Sequence, residues 1–150
     1  MTEADGTLTD TGPLFALADP QGQPAENARC QALLLALSVP LVTTWPCLGE
    51  AMYLCGRKGG WFMQRYIVRL LREGTLRVHA TTQAELNRSL DLMEQYQDRP
   101  MDLADASLVA LAETRGDGRV FSIDSDFYVY RLVDGSALEV VPGPMPARGR

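Results

Sequence analysis

At 150 residues and 46% apolar composition, the chain is long enough to bury one core and too short to build two. Charged residues at 22% and a net charge of −5 argue against a disordered chain and against a protein whose main task is coating nucleic acid. No apolar run approaches the roughly 20 residues of a membrane span, and a single histidine, His79, removes most triads and His-rich zinc sites.

The opening MTEADGTLTD is acidic and polar, unlike a signal peptide. Cys30, Cys47 and Cys55 are odd in number and form no CxxC pair, so they read as buried thiols of a reducing cytosol. The expectation is a cytoplasmic protein of one domain over 1–150, with its core over about 7–141. The tail 142–150, rich in proline and glycine, and the first six residues are expected to be disordered.

In chain order, a short strand ends at Asp10, and Gly12-Pro13 opens a helix reaching Ala18. Asp19-Pro20-Gln21-Gly22 is a loop, and Pro24 starts a helix to Leu37. Residues 39–43 read as the second strand. Trp45-Pro46 opens a helix to about Cys55, closed by Gly56. Gly59-Gly60 separates it from a helix over 61–73, which Gly74 stops, and 76–78 is a third strand. A polar amphipathic helix spans 82–97 and a small-residue apolar helix 102–114. Residues 120–123 form the fourth strand, and 138–141 are a candidate fifth.

Strands separated by helices imply an α/β fold with a mostly parallel sheet of four or five strands, flanked by helices in three layers. Ligands of such sheets bind beyond the carboxyl ends of the strands. Asp10 and Asp124 directly follow strands, and Glu50 lies about one turn into the helix after the second. The helix of Asp105 leads directly into the fourth strand and runs antiparallel to it, which returns its first turn to the same edge. Each acid also has a plain reading. Asp102 and Asp105 suit a helix cap and first turn, Glu50 a solvent-facing helix position, and Asp124 and Asp126 a turn. Their convergence favours a metal centre, because clustered carboxylates oppose one another's ionisation and a divalent cation relieves this. All-oxygen ligation suits Mg²⁺ or Mn²⁺, and the matching chemistry is phosphodiester hydrolysis.

The segments LTDTGPLFALAD, TTWPCLGEAMYL, MDLADASLVALAE and FSIDSDFYVYRL resemble the successive blocks of the PIN domain family, nearest to its VapC-like toxins. The resemblance covers about residues 7–141. It implies a Mg²⁺- or Mn²⁺-dependent ribonuclease with catalytic and metal-binding acids at Asp10, Glu50, Asp105 and Asp124. Asp126 is the alternative fourth acid, and Thr11, Asp102 and Ser122 are supporting residues. It also implies an RNA substrate, an antitoxin partner and a homodimer. One departure is the polar first strand, Gly6-Thr7-Leu8-Thr9, where the family has an apolar run.

Arg65, Arg69 and Arg72 share one helix face, opposite Met63, Ile67, Leu70 and Leu71. They are candidates for guiding RNA phosphates, with Arg57 and Lys58 just upstream; the plain alternative is a solvated face. Trp45, Tyr53, Trp61, Phe62 and Tyr66 cluster around the same helices and suit both core and interface. Two other functions compete with RNA cleavage: a non-catalytic binding module, and an aspartate-centred phosphotransfer domain. The latter pattern includes a lysine after a late strand, and Lys58 is the only lysine here.

Overall fold

The computed structural model describes residues 6–143, so the disorder expected over 1–6 and 142–150 falls, except at 6, 142 and 143, outside the described residues. Among the described residues, five strands are present: β1 (Thr7–Thr9), β2 (Leu41–Thr44), β3 (Leu76–His79), β4 (Arg119–Phe121) and β5 (Glu139–Val141). They form one sheet in the order β3-β2-β1-β4-β5, and every adjacent pair is parallel. The candidate fifth strand is therefore real.

Six α-helices connect them: α1 (Thr11–Ala18), α2 (Pro24–Ala36), α3 (Trp45–Gly59), α4 (Trp61–Glu73), α5 (Gln83–Gln95) and α6 (Leu103–Arg115). The pleat sends successive strand residues to opposite faces. Val42 and Val120 accordingly join Leu8, Leu108 and Leu111 in one core cluster, whereas Leu41 and Phe121 join Leu14, Leu17 and Ile67 in the other. Each fully buried leucine contributes about 1.5–3 kcal/mol, so both faces need their helices. Cys30, Cys47 and Cys55 are buried free thiols, as their apolar surroundings predicted.

The polar first strand is held by threonine hydroxyls that bond its backbone carbonyls. Thr9 Oγ1 donates to Thr7 O at 2.9 Å, and Thr43 Oγ1 donates to Thr9 O at 2.8 Å. Buried hydroxyls with partners cost little compared with unpaired ones. Gly6, at φ +98°, enters this strand where a Cβ would meet Pro40 O and Val42 Cγ2 at 2.6 Å.

Most boundaries shift by one or two residues from the sequence reading, and two of the shifts have a visible cause. α3 runs through Gly56 to Gly59, because Gly56 is a packing position: a Cβ there would lie 2.5 Å from Gln64 Nε2 of α4. Gln64 Nε2 instead donates to Met52 O at 3.1 Å, tying the two helices together. β4 ends at Phe121 instead of Ile123, as the chain turns toward a short 3₁₀ segment, Ser125–Tyr128. Among the described residues, no helix is long and apolar enough to cross a membrane.

Candidate metal centre

The carboxyl edge of the sheet gathers the acids as its topology requires. β1 and β4 are neighbours, and Asp10 N donates to Phe121 O at 2.9 Å, so Asp10 stands beside the chain leaving β4. Asp10 precedes α1 with extended backbone but makes no side-chain cap hydrogen bond, which leaves its carboxylate facing the edge. α6 is anchored over the end of β2, where the Thr44 and Ser107 hydroxyls lie 2.6 Å apart. Asp102 caps α6, its Oδ1 accepting from Asp105 N at 2.8 Å. That contact, together with its exposure, gives Asp102 the capping role and places Asp105 in the first helical turn.

One carboxylate oxygen from each of Asp10, Asp105 and Asp124 lies within 4.8 Å of the others. Asp10 and Asp105 are buried, and Asp124 is half-buried. Burial pushes Asp10 up to about 7, with Asp124 and Asp102 adding to the rise; the Thr11 N–H and Ser122 hydroxyl oppose it. Asp105 is pushed up to about 8 by burial and then by Asp10 and Asp102, against the Tyr130 hydroxyl. Glu50, half-buried, stands outside the group of three. It is raised by burial and by Asp102 and Asp124, so it shares their field.

The supporting residues divide. Ser122 Oγ donates to Asp10 Oδ2 at 2.9 Å and accepts from Asp124 N at 3.0 Å, bridging two of the three acids. Thr11 turns its hydroxyl to Cys47 O at 3.3 Å, which joins α1 to α3 and leaves the acids untouched. Asp126 forms an ion pair with Arg99 at 3.0 Å, while its backbone N–H donates to Asp124 Oδ1 at 2.9 Å. Asp124, and not Asp126, belongs to the group of three.

Arg65, Arg69 and Arg72 are exposed along α4. Arg65 and Arg69 line a groove with Leu17, Ala18 and Pro20, at the end of α1 opposite Asp10. Arg65 lies 4.6 Å over the Phe62 ring and Arg69 5.4 Å over Tyr66. Lys58 is held by Asp19, so the lysine of a phosphotransfer centre is absent from the acid cluster.

Sequence reasoning passed over Tyr130. Its hydroxyl donates to Asp105 Oδ2 at 2.8 Å, and the residue is fully buried. The visible signal was the aromatic density of Phe127-Tyr128-Val129-Tyr130 directly after the fourth acid.

The donor set fits a hard divalent cation. It is all-oxygen, compact and largely desolvated. Among the described residues, the ion pairs engage Asp19, Glu73, Glu85, Glu113, Asp126 and Glu139, and none of the three clustered acids. Their mutual repulsion thus has no side-chain counter-charge.

A wholly parallel sheet between helical layers, with acids at its carboxyl edge, defines a PIN-like α/β fold, as the sequence blocks implied. A solved structure with this fold is that of Mycobacterium tuberculosis VapC20, described as a sarcin-ricin loop cleaving toxin. It is 19% identical, covers 86% of this chain and 98% of its own, and has a TM-score of 0.75. No family model matches the sequence, and no curated protein does.

Proposed function

We propose that this protein is a divalent-metal-dependent endoribonuclease, the toxin of a toxin–antitoxin pair, acting in the cytoplasm as a single domain over 1–150. The observation that carries the proposal is the set of three carboxylates within 4.8 Å at the carboxyl edge of a parallel sheet. The fold shared with a sarcin-ricin loop cleaving toxin supports RNA as the substrate.

In this reading Asp10, Asp105 and Asp124 would hold Mg²⁺ or Mn²⁺, which when bound would supply an activated water and neutralise charge at phosphorus. Ser122 keeps Asp10 and Asp124 in register through its two hydrogen bonds. Glu50, raised and half-buried at the rim, is the acid suited to hold or move a proton. Asp102 acts through α6 by capping it, and Asp126 acts through the turn that presents Asp124.

The reading assigns the antitoxin to the α4 groove. Phe62 is 70% exposed there, and the rim arginines suit an apolar segment carrying acidic residues. This makes Arg65 and Arg69 partner contacts before RNA contacts. A homodimer is part of the proposal, and light scattering of the isolated chain tests it.

The deciding experiment incubates the protein with structured RNA and Mn²⁺. Cleavage that EDTA abolishes is expected, and Asp10→Asn and Asp105→Asn proteins should lose about 100-fold or more while remaining folded. Full cleavage by both folded variants would remove the mechanism.

A further inference from the structure

We propose that Tyr130 is a positioning residue of the metal centre, its hydroxyl orienting the Asp105 carboxylate so that one oxygen is held and the other is left for the cation. This rests on reading the acid cluster as a metal site. The hydroxyl-to-Oδ2 distance is 2.8 Å, and both residues are buried.

A buried phenol must find a partner for its O–H, and any carbonyl would satisfy that need. Here the partner is a carboxylate that already stands beside two others. The contact therefore falls on one of the groups whose rotamer matters to ligation.

The ring itself is immobilised. Tyr96 packs edge-on against it at 5.2 Å and 68°, and Phe127 at 5.3 Å and 80°. The backbone leaving Tyr130 is fastened as well: Arg131 N donates to Tyr96 Oη at 3.0 Å, linking it to the end of α5. The Arg131 guanidinium gathers the carbonyls of Tyr128, Val129 and Tyr130 at 2.8, 3.1 and 2.9 Å. The same turn begins with Ser122 and Asp124, so one braced segment presents a ligand at one end and orients a second ligand from the other. Hydrogen-bond partners of metal ligands typically alter affinity by about 10- to 100-fold when removed.

The test is Mn²⁺ binding to the full chain, followed by calorimetry without RNA, for wild type, Tyr130→Phe, Asp105→Asn and the double variant. Phenylalanine keeps the ring in its aromatic packing and removes only the hydroxyl. Tyr130→Phe should weaken Mn²⁺ by about 10-fold, and should add no further loss in the Asp105→Asn background, because the two act through one interaction. Equal affinity in wild type and Tyr130→Phe overturns the positioning role and leaves the metal site standing. So does an undiminished loss in the Asp105→Asn background. Absence of Mn²⁺ binding by wild type at millimolar concentrations overturns the metal site and this role with it. A measurement on the unaltered chain guards against misfolding of the variant: with ¹³Cζ-labelled tyrosine, saturating Mg²⁺ should shift the one buried phenol resonance that donates to a carboxylate. A tyrosine spectrum unmoved by Mg²⁺, in a chain that binds the ion calorimetrically, also overturns the role.

Discussion

Ser122 Oγ donates to Asp10 Oδ2 at 2.9 Å while accepting the Asp124 amide at 3.0 Å, so one hydroxyl sets the relative position of two acids from distant segments. Ser122→Ala removes both contacts and leaves the Asp124 N–H to find another partner. Stability should fall by about 1 kcal/mol. Asp10 should rise further, since the hydroxyl favours its charged form, and Mn²⁺ binding should weaken by up to about 10-fold. Ser122→Thr keeps the hydroxyl and should stay near wild type. Calorimetric titration of the three proteins checks the order, and an alanine variant that binds as tightly as the threonine one would rule the bridge unimportant.

Much of this arrangement is legible in the sequence because punctuation and topology are local or nearly so. Pro24, Pro46, Gly74 and the residue pairs around Asp10 and Asp102 mark element ends, and strand–helix alternation dictates which edge each acid reaches. What escaped depends on contacts across the fold. Gly56 reads as a helix stop until Gln64 is seen in the space a side chain would occupy. Asp124 and Asp126 are two residues apart in one turn, and only the arrival of Arg99 from beyond α5 separates them. Tyr130 reads as one more apolar residue, since nothing local announces that its hydroxyl meets Asp105. Polar β1 makes sense only once Thr43 of the neighbouring strand is seen donating its hydroxyl to the Thr9 carbonyl.

The Arg99 pairing yields a prediction that distinguishes the two acids of the turn. Asp124→Asn should weaken Mn²⁺ binding by about 100-fold, because it removes one of the three clustered carboxylates. Asp126→Asn keeps the turn's backbone N–H to Asp124 and loses only a partly exposed ion pair. Such pairs contribute under about 1 kcal/mol, so its melting temperature and metal affinity should change little. Paired titrations decide the matter, and equal losses in both variants would return Asp126 to the ligand set.

The only lysine has a structural task. Asp19 is buried between α1 and α2, where its carboxylate accepts from Gly22 N and Gln23 Nε2, each at 3.1 Å, and from Lys58 at the end of α3. Asp19→Ala strands the two loop donors and the ammonium, and should cost about 1–3 kcal/mol. Lys58→Met removes one partner from a carboxylate that keeps two others, and should cost under about 1 kcal/mol, since the ammonium is partly solvated. RNA cleavage should be unchanged in Lys58→Met, because this residue is tied to a loop remote from Asp10. Urea unfolding ranks the two variants; a Lys58→Met protein weaker than Asp19→Ala would contradict the assignment of the carboxylate as the hub.

The clustered acids also set how the metal-free protein responds to pH. Ordinary aspartate titrates near 3.8, whereas Asp10 is pushed to about 7 and Asp105 to about 8 in the fold. Between these values the folded chain binds more protons than the unfolded one, so its stability falls as pH rises from about 4 to about 8. Asp19 and Glu85 are held below their ordinary values and act in the opposite sense, but only at lower pH. The window from pH 5 to 8 therefore belongs to the cluster. A bound cation must displace the protons that Asp10 and Asp105 hold at pH 6, and far fewer at pH 8, so Mn²⁺ should raise the melting temperature more at pH 8. Thermal unfolding in EDTA across this range should show a decline that flattens in Asp105→Asn, where one repelled charge is gone. A melting temperature that climbs with pH in EDTA, or equal Mn²⁺ increments at both ends, would mean that burial and the neighbouring acids do not raise Asp10 and Asp105.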